Sequence, residues 1–168
     1  MENQIQDLHL PDSALEHKLI QAIRTSQYRP PEERLGEAQD SGRINIHAQC
    51  QFHLKDDDLQ PNPLHTQIIR LFADKTIRII TTNFEGLFEK AANALGVVPD
   101  VSIAPNLPQG DVFKGIVHLH GSLKHENSII LSDRDFGRAY LSEGWARRFI
   151  TRVFANYTVL FIGYSYND

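Results

Sequence analysis

The sequence predicts an α/β domain built on a parallel sheet, and two observations point to this class. Four short apolar runs have the length and composition of buried strands, at 76–80, 115–122, 128–132 and 157–165. Helical patterns, with apolar residues three or four positions apart, follow the first run and precede the fourth. Strands that are apolar along most of their length and alternate with helices are typical of parallel sheets covered on both faces.

Composition and charge narrow the class of protein further. The 168 residues are 41% hydrophobic and 23% charged, which suits one globular domain with a sizeable core. The net charge of −4 disfavours a nucleic-acid partner, because phosphate binding usually requires a basic surface. No apolar run reaches 18 residues and the N-terminus is polar, so we expect no membrane association and a cytoplasmic location.

The first part of the chain, residues 1–60, is predicted to be a helical and irregular segment. Apolar residues recur every four positions over 15–23, as in one short helix, while 28–43 has the prolines and glycines of a loop. A weakly patterned stretch follows at 44–55. The α/β domain itself is predicted to occupy 61–168.

Within 61–168 the elements follow in a clear order. Asn62 is expected to cap a helix that has Pro63 at its first position. After the strand at 76–80, a second helix is expected from Phe84 to the stop at Gly96.

The later elements are the strands at 115–122 and 128–132, a helix over 143–156, and the strand at 157–165. His118 and His120 lie two residues apart in the strand at 115–122, so they are expected to share one face of the sheet.

Three of the strands end in small polar residues. In open parallel sheets, ligands bind beyond the carboxyl ends of the strands, so these ends are expected to face one crevice. Hydroxyl groups there suit ribose or phosphate oxygens, and glycines allow a ligand to approach the backbone. The three motifs are Thr81-Thr82-Asn83, His120-Gly121-Ser122 and Gly163-Tyr164-Ser165.

These motifs and the segments around them resemble the sirtuin-like (SIR2-like) domain of bacterial antiphage-defence proteins. The resemblance covers about 62–168 and rests on four segments: RIITTNFEGLFEKAA, GIVHLHGS, DRDFGRAYLSEGWARRF and YTVLFIGYSYND. It implies a three-layer, Rossmann-like parallel sheet of sirtuin type. The chain lacks the family's opening glycine-rich turn and stops soon after the last run, so we expect a fold truncated at both ends.

The resemblance also implies roles for individual residues. Asn83 matches the catalytic asparagine of the family, and His120 matches its catalytic histidine. Gly163 and Ser165 match the pair that holds the adenosine ribose of nicotinamide adenine dinucleotide (NAD). The full set implied to bind NAD comprises Thr81, Thr82, Gly121, Ser122, Gly163, Tyr164, Ser165 and Asp168.

The function that follows from the resemblance is hydrolysis of NAD to nicotinamide and ADP-ribose in antiphage defence. Sirtuins that deacylate proteins carry a zinc module of four cysteines, and this chain has only Cys50, so deacylation and zinc are disfavoured. Two alternatives stay open: a module that senses NAD or ADP-ribose without turnover, and an inert interaction domain derived from the enzyme. Homo-oligomers or further domains of a longer parent chain are the other expected partners.

The residue types suit this chemistry. An asparagine amide can orient a water molecule or the ribose, and a histidine can accept the proton that is released. Because an ordinary histidine titrates near pH 6.5, the rate is expected to fall on the acid side with an apparent pKa of about 6 to 7.

A second histidine pattern, His47-x-x-Cys50-x-x-His53, resembles a metal-ligand spacing. On a helix these three side chains would spread over a wide arc, so we predict no metal site and interpret the stretch as an amphipathic surface.

Overall fold

The structure is a computed structural model that describes residues 46–54, 58–125 and 128–163. The chain divides into two compact units, and the description below concerns the unit formed by residues 45–160. Within the described part of the chain, no helix is long and apolar enough to cross a membrane.

The secondary structure alternates between helices and short strands, in an order typical of α/β domains. The helices are α1 (Ile46–His53), α2 (Pro63–Arg70), α3 (Leu87–Ala94), α4 (Asp133–Phe136), which continues into a π-helical segment (Gly137–Ser142), and α5 (Trp145–Asn156). The strands are β1 (Arg78–Thr81), β2 (Val101–Ile103) and β3 (Gly115–His118).

In the described residues the three strands form one parallel sheet in the order β1-β3-β2. The last residue of β1, Thr81, pairs with His118 of β3, and Ile103 of β2 pairs with the same residue from the other side. The carboxyl ends of all three strands therefore lie at one edge of the sheet.

The sheet separates two apolar layers, because successive side chains of a strand point to opposite faces. Ile79 and Ile116 pack with residues of α2 and α3 in one cluster. Val117 and the partly buried Ile80 pack with Phe149 of α5 in the other. This arrangement of helix, sheet and helix confirms the predicted three-layer α/β architecture.

The expected cap of α2 is present. The side-chain oxygen of Asn62 accepts a hydrogen bond from the backbone N–H of His65 at 3.1 Å, and Pro63 occupies the first turn. This part of the prediction succeeded because a helix cap depends on residues only three positions apart.

Several strand boundaries differ from the prediction. β1 begins at Arg78 and not at residue 76, and β3 ends at His118 and not at 122. β3 stops early because the chain turns: the N–H of Gly121 donates to the carbonyl oxygen of His118.

Two predicted strands are wrong within the described residues. Residues 128–132 form no strand, although Ile129 and Ile130 are buried beside the turn that follows β3. Residues 157–163 form no strand either, and the side chain of Leu160 is 77% exposed. Both runs have strand-like composition, but neither joins the ladder of the sheet.

The helices show similar differences. α3 begins at Leu87 rather than Phe84, and α5 begins at Trp145 rather than 143. The stretch interpreted as an amphipathic surface forms α1, in which Ile46 and Cys50 are buried one turn apart. The sequence analysis missed β2, and it missed α4 with the π-helical segment that follows.

Candidate active site

The two predicted catalytic residues lie beyond the carboxyl ends of neighbouring strands. Thr81 at the end of β1 pairs with His118 at the end of β3. Asn83 lies two residues after Thr81, and His120 lies two residues after His118. The N–H of Leu119 donates to the carbonyl oxygen of Thr81 at 2.9 Å, which continues the contact between the two chain segments past the strands. The sheet thus brings both segments to one edge, as predicted.

The loop after β1 presents an amide side chain to solvent. The hydroxyl of Thr81, which is buried, accepts a hydrogen bond from the N–H of Asn83 at 3.1 Å. Thr82 and Asn83 are exposed, and Nδ2 of Asn83 donates to Oε1 of Glu85 at 3.0 Å. The Asn83 amide is therefore oriented by a neighbouring carboxylate and remains accessible.

His118 points away from the loop surface, into the layer that contains α3. Its side chain is 1% exposed, with Nδ1 at 3.2 Å from the carbonyl oxygen of Asn83 and Nε2 at 2.5 Å from Oε1 of Glu89. Burial opposes the charged form, but the hydrogen bond and the negative charge of Glu89 outweigh it, so the pKa of His118 is raised. The same pairing outweighs the burial of Glu89 and lowers the pKa of its carboxyl group.

His120 lies in the opposite layer, so the expectation that His118 and His120 share a face is wrong. β3 has ended by this point, and the turn reorients the backbone. The His120 ring contacts Phe136 edge to face at 5.2 Å between centroids, and its Nε2 lies 2.9 Å from the hydroxyl of Tyr140.

This aromatic surrounding changes the titration of His120. Burial lowers its pKa from 6.5 to about 4, because the imidazolium form loses solvation there. The apparent pKa of 6 to 7 expected from the sequence therefore needs correction. Burial also raises the pKa of the Tyr140 hydroxyl, which stays protonated.

Gly121 and Ser122 are engaged in the fold of the loop. Gly121 has φ +92°, and a Cβ atom there would lie 2.1 Å from the carbonyl oxygen of Ser128. The buried Ser122 receives a hydrogen bond at its hydroxyl from the N–H of Lys124 at 3.4 Å, and its own N–H donates to Oγ of Ser128 at 3.0 Å. Close packing against residue 128 gives this glycine a structural explanation.

Most of the third predicted motif lies outside the described residues. Gly163 has φ +71° and falls outside the unit of residues 45–160. Tyr164, Ser165 and Asp168 lie outside the described residues.

The histidines of α1 have structural partners, and its cysteine is buried. Nε2 of His47 lies 2.9 Å from Oδ2 of Asp135, and Nε2 of His53 lies 3.1 Å from Oε1 of Gln49. Burial raises the pKa of the Cys50 thiol to about 11. In the described ranges, no three such side chains are grouped as metal ligands.

The sequence analysis overlooked Glu89 and Tyr140, which contact the two histidines. Glu89 follows Asn83 by six residues, but nothing in a single sequence links it to His118. A signal did exist for the region of Tyr140: Ser132 and Asp135 have the spacing of a capping box, and the structure contains one.

Comparison with known proteins identifies the family. The model of the SIR2-like domain family matches residues 77–168, more than half of the chain. The chain belongs to this family, and its parallel sheet with helices on both faces is consistent with the Rossmann-like α/β fold of the SIR2-like domain.

Two relatives are similar to parts of the chain. An uncharacterized protein of Sinorhizobium fredii, y4cA, is 33% identical over an alignment of 118 residues, and the match covers 62% of this chain and 10% of that protein. An NAD-dependent protein deacetylase of Listeria monocytogenes is 34% identical over 68 residues, which is 40% of this chain and 21% of that protein. The chain thus matches only about a tenth and a fifth of these relatives' lengths. No solved structure matches it.

Proposed function

We propose that the chain binds NAD and hydrolyses it to nicotinamide and ADP-ribose, as the effector part of a bacterial antiphage-defence protein. The observation that carries the proposal is the placement of an accessible Asn83 and an uncharged His120 at one edge of a SIR2-like sheet. Similarity to a protein named as an NAD-dependent deacetylase supports NAD as the ligand. We assign the activity to residues 61–168.

The proposed reaction needs one proton acceptor. Water adds to the anomeric carbon of the nicotinamide ribose, the bond from that carbon to nicotinamide breaks, and its electron pair leaves with nicotinamide. The proton of the water passes to His120. With a pKa of about 4, this imidazole is unprotonated at neutral pH and can accept it.

Tyr140 determines which ring nitrogen of His120 accepts the proton. If Nε2–H of His120 donates to the Tyr140 oxygen, the lone pair remains on Nδ1, which becomes the base. The tyrosine hydroxyl then fixes the orientation of the ring, and Phe136 limits the access of water to it.

Asn83 supplies orientation rather than proton transfer. Its amide carries two donors and one acceptor, so it can hold a ribose hydroxyl or the attacking water while Glu85 restrains its rotation. Thr82, exposed beside it, offers a further hydroxyl to the same ligand.

Hydrolysis is favoured over protein deacylation because this chain holds one cysteine. It cannot form a four-cysteine zinc module by itself. We therefore expect water rather than an acylated lysine to accept the ribosyl group.

The test is nicotinamide release from NAD, measured by chromatography. It compares the unsubstituted chain, called the parent from here on, with Asn83→Ala and His120→Ala. Both substitutions should reduce the rate by about 10²–10⁴-fold, the range typical of losing a positioned catalytic group. Asn156→Ala and His65→Ala are matched controls, since both residues lie outside the site, and these proteins should cleave NAD at the parent's rate.

The outcome also separates the alternatives. A thermal shift with NAD but no nicotinamide would favour a sensing module, and the absence of both would favour an inert interaction domain. A His120→Ala protein as active as the parent would remove His120 from the mechanism.

A further inference from the structure

The buried pair of His118 and Glu89 has no role in the chemistry proposed above, yet it touches the main chain of Asn83. Nδ1 of His118 faces the Asn83 carbonyl oxygen, and Nε2 faces a carboxylate oxygen of Glu89. Glu89 belongs to α3, so the contact links three elements: the loop after β1, the end of β3 and the first turn of α3.

Hydrogen-bond chemistry determines the protonation of this pair. A carbonyl oxygen can only accept, so Nδ1 must carry a hydrogen. Between Nε2 and the carboxylate, the proton resides on the imidazole, because a glutamic acid is ordinarily the stronger acid by about two pKa units. His118 therefore donates from both nitrogens and is an imidazolium.

The charges around His118 agree with this state. On α3, Glu89 contacts it directly, and Glu85 in the loop contributes a second negative charge. The positive charge of Lys124 also acts on Glu89 and favours its ionised form. The paired residues on the two flanking strands, Thr81 and Ile103, are uncharged.

Glu89 has a second feature that calls for explanation. Its Oε2 atom is buried and has no hydrogen-bond partner among the described residues. A carboxylate in such a position is costly unless a charge compensates it, and the imidazolium of His118 is the cation in contact with it.

We propose that His118, held as an imidazolium by Glu89, is a positioning residue. It fixes the loop after β1, which carries Asn83, from the layer of the sheet that contains α3. The imidazolium donates a hydrogen bond to the carbonyl oxygen of Asn83, and we call this contact the clamp. Because the main chain is held there, the exposed amide side chain of Asn83 keeps one orientation. His118 itself does not touch the substrate. The effect on catalysis rests on the proposed function, but the clamp does not.

The first experiment determines the charge state by NMR, from the ¹⁵N shifts of the His118 ring. In the parent at pH 7 both nitrogens should be protonated. Glu89→Gln should convert the ring to the neutral form at that pH, whereas Glu143→Gln, the same change at an exposed ion pair, should not. A neutral His118 in the parent would overturn the proposal.

The second experiment measures hydrogen exchange of the loop at 82–86 in two variants. His118→Leu removes both contacts, and the loop should exchange at least tenfold faster. In His118→Asn, the amide nitrogen is placed much like Nδ1 and can still donate to the Asn83 carbonyl, so slow exchange should be largely restored. Unchanged exchange in His118→Leu, or equal acceleration in both, would overturn the clamp.

NAD cleavage then separates the two proposals. If the clamp serves catalysis, His118→Leu should lower kcat at least tenfold, and His118→Asn should recover most of it. If the parent does not cleave NAD, the proposed function is refuted. The NMR and hydrogen-exchange results then still show whether His118 holds the Asn83 main chain. If His118→Leu does not fold, the ring shifts of the parent and of Glu89→Gln still decide it.

Discussion

His120 shows how strongly one side chain depends on its surroundings. In solution a histidine titrates near pH 6.5, but here the imidazole is partly buried against the rings of Phe136 and Tyr140 and loses part of its solvation. The consequence is a base that is uncharged throughout the physiological range and protonates only near pH 4.

The first prediction at this scale concerns the pH dependence of NAD cleavage. The parent's rate should be nearly constant from pH 7 to pH 5 and should fall only as pH approaches about 4. Steady-state rates would be measured across this range, with circular dichroism at each pH to verify folding. A half-maximal rate near pH 6.5 would show that His120 is not the titrating base, or that it is not buried in the active form.

The second prediction concerns Tyr140. Tyr140→Phe removes the hydroxyl that contacts Nε2 of His120, so kcat should fall about tenfold, the value of one hydrogen bond of about 1.4 kcal/mol. KM should change little, because the hydroxyl orients the base rather than the substrate. Tyr157→Phe is the matched control: its hydroxyl accepts from the N–H of Phe113, so its loss should reduce stability and leave kcat unchanged.

At the scale of elements, the turn after β3 decides where His120 lies. The positive φ of Gly121 lets the chain fold back so that the N–H of Ile130 donates to the carbonyl oxygen of His120. This hydrogen bond attaches the segment at 128–130 to His120 without forming a strand.

Replacement of this glycine should therefore be costly. Gly121→Ala adds a methyl group that would lie 2.1 Å from a backbone oxygen at a positive φ, so we expect a loss of at least about 2 kcal/mol in unfolding free energy. Urea denaturation measures it.

Gly137→Ala provides the control. Gly137 has a helical φ of −56° and open space around its Cα, so alanine there should be neutral or stabilising by up to about 1 kcal/mol. If Gly121→Ala were as stable as the parent, the segment at 128–130 would have to be able to move away.

At the scale of the whole molecule, buried ionisable groups should set the pH of maximum stability. The pKa of His120 is lower in the folded chain than in the unfolded chain, so on acidification the unfolded chain binds a proton first. The free energy of unfolding therefore falls by about 3 kcal/mol between pH 6.5 and 4. The folded pKa of His118 is raised, so its contribution is complete below about pH 6.5 and is lost at higher pH.

Together these opposite shifts predict a stability maximum near about pH 6.5. Asp135, whose pKa is lowered to about 2 by its hydrogen bonds with His47 and Ser132 in spite of its burial, should add a further loss below about pH 4. Urea midpoints from pH 4 to 9 measure the curve. His120→Gln should flatten its acid side, and a parent that is equally stable at pH 4.5 and 6.5 would contradict the burial of His120.

Self-association is the last prediction at this scale. β1 is an outer strand of the described sheet, and Leu160 is 77% exposed in the apolar run at 159–162. Because an open strand edge and exposed apolar side chains favour contact between chains, we expect this chain to form oligomers in sedimentation velocity. Leu160→Lys should reduce association more than Leu141→Lys, an equal change at an exposed leucine elsewhere. A monomer at all concentrations would contradict the expectation.

Much of this protein can be predicted from local sequence. The cap formed by Asn62, the strand near 78–81 and the helix at 145–156 all depend on residues a few positions apart, and their patterns indicate them correctly. The placement of Asn83 and His120 at one edge also follows, because parallel strands bring their carboxyl ends together.

Tertiary structure alone decided the remaining features. The runs at 128–132 and 157–162 have the composition of strands, but strand pairing requires a neighbour that is distant in sequence, and composition does not specify one. The opposite orientations of His118 and His120 depend on packing. Their partners Glu89 and Tyr140 lie 29 and 20 residues away in the chain, so local sequence does not indicate them. Local sequence predicted that Asn83 and His120 follow strands ending at one edge of the sheet, whereas packing determined which groups are buried, which are charged and which stay open to solvent.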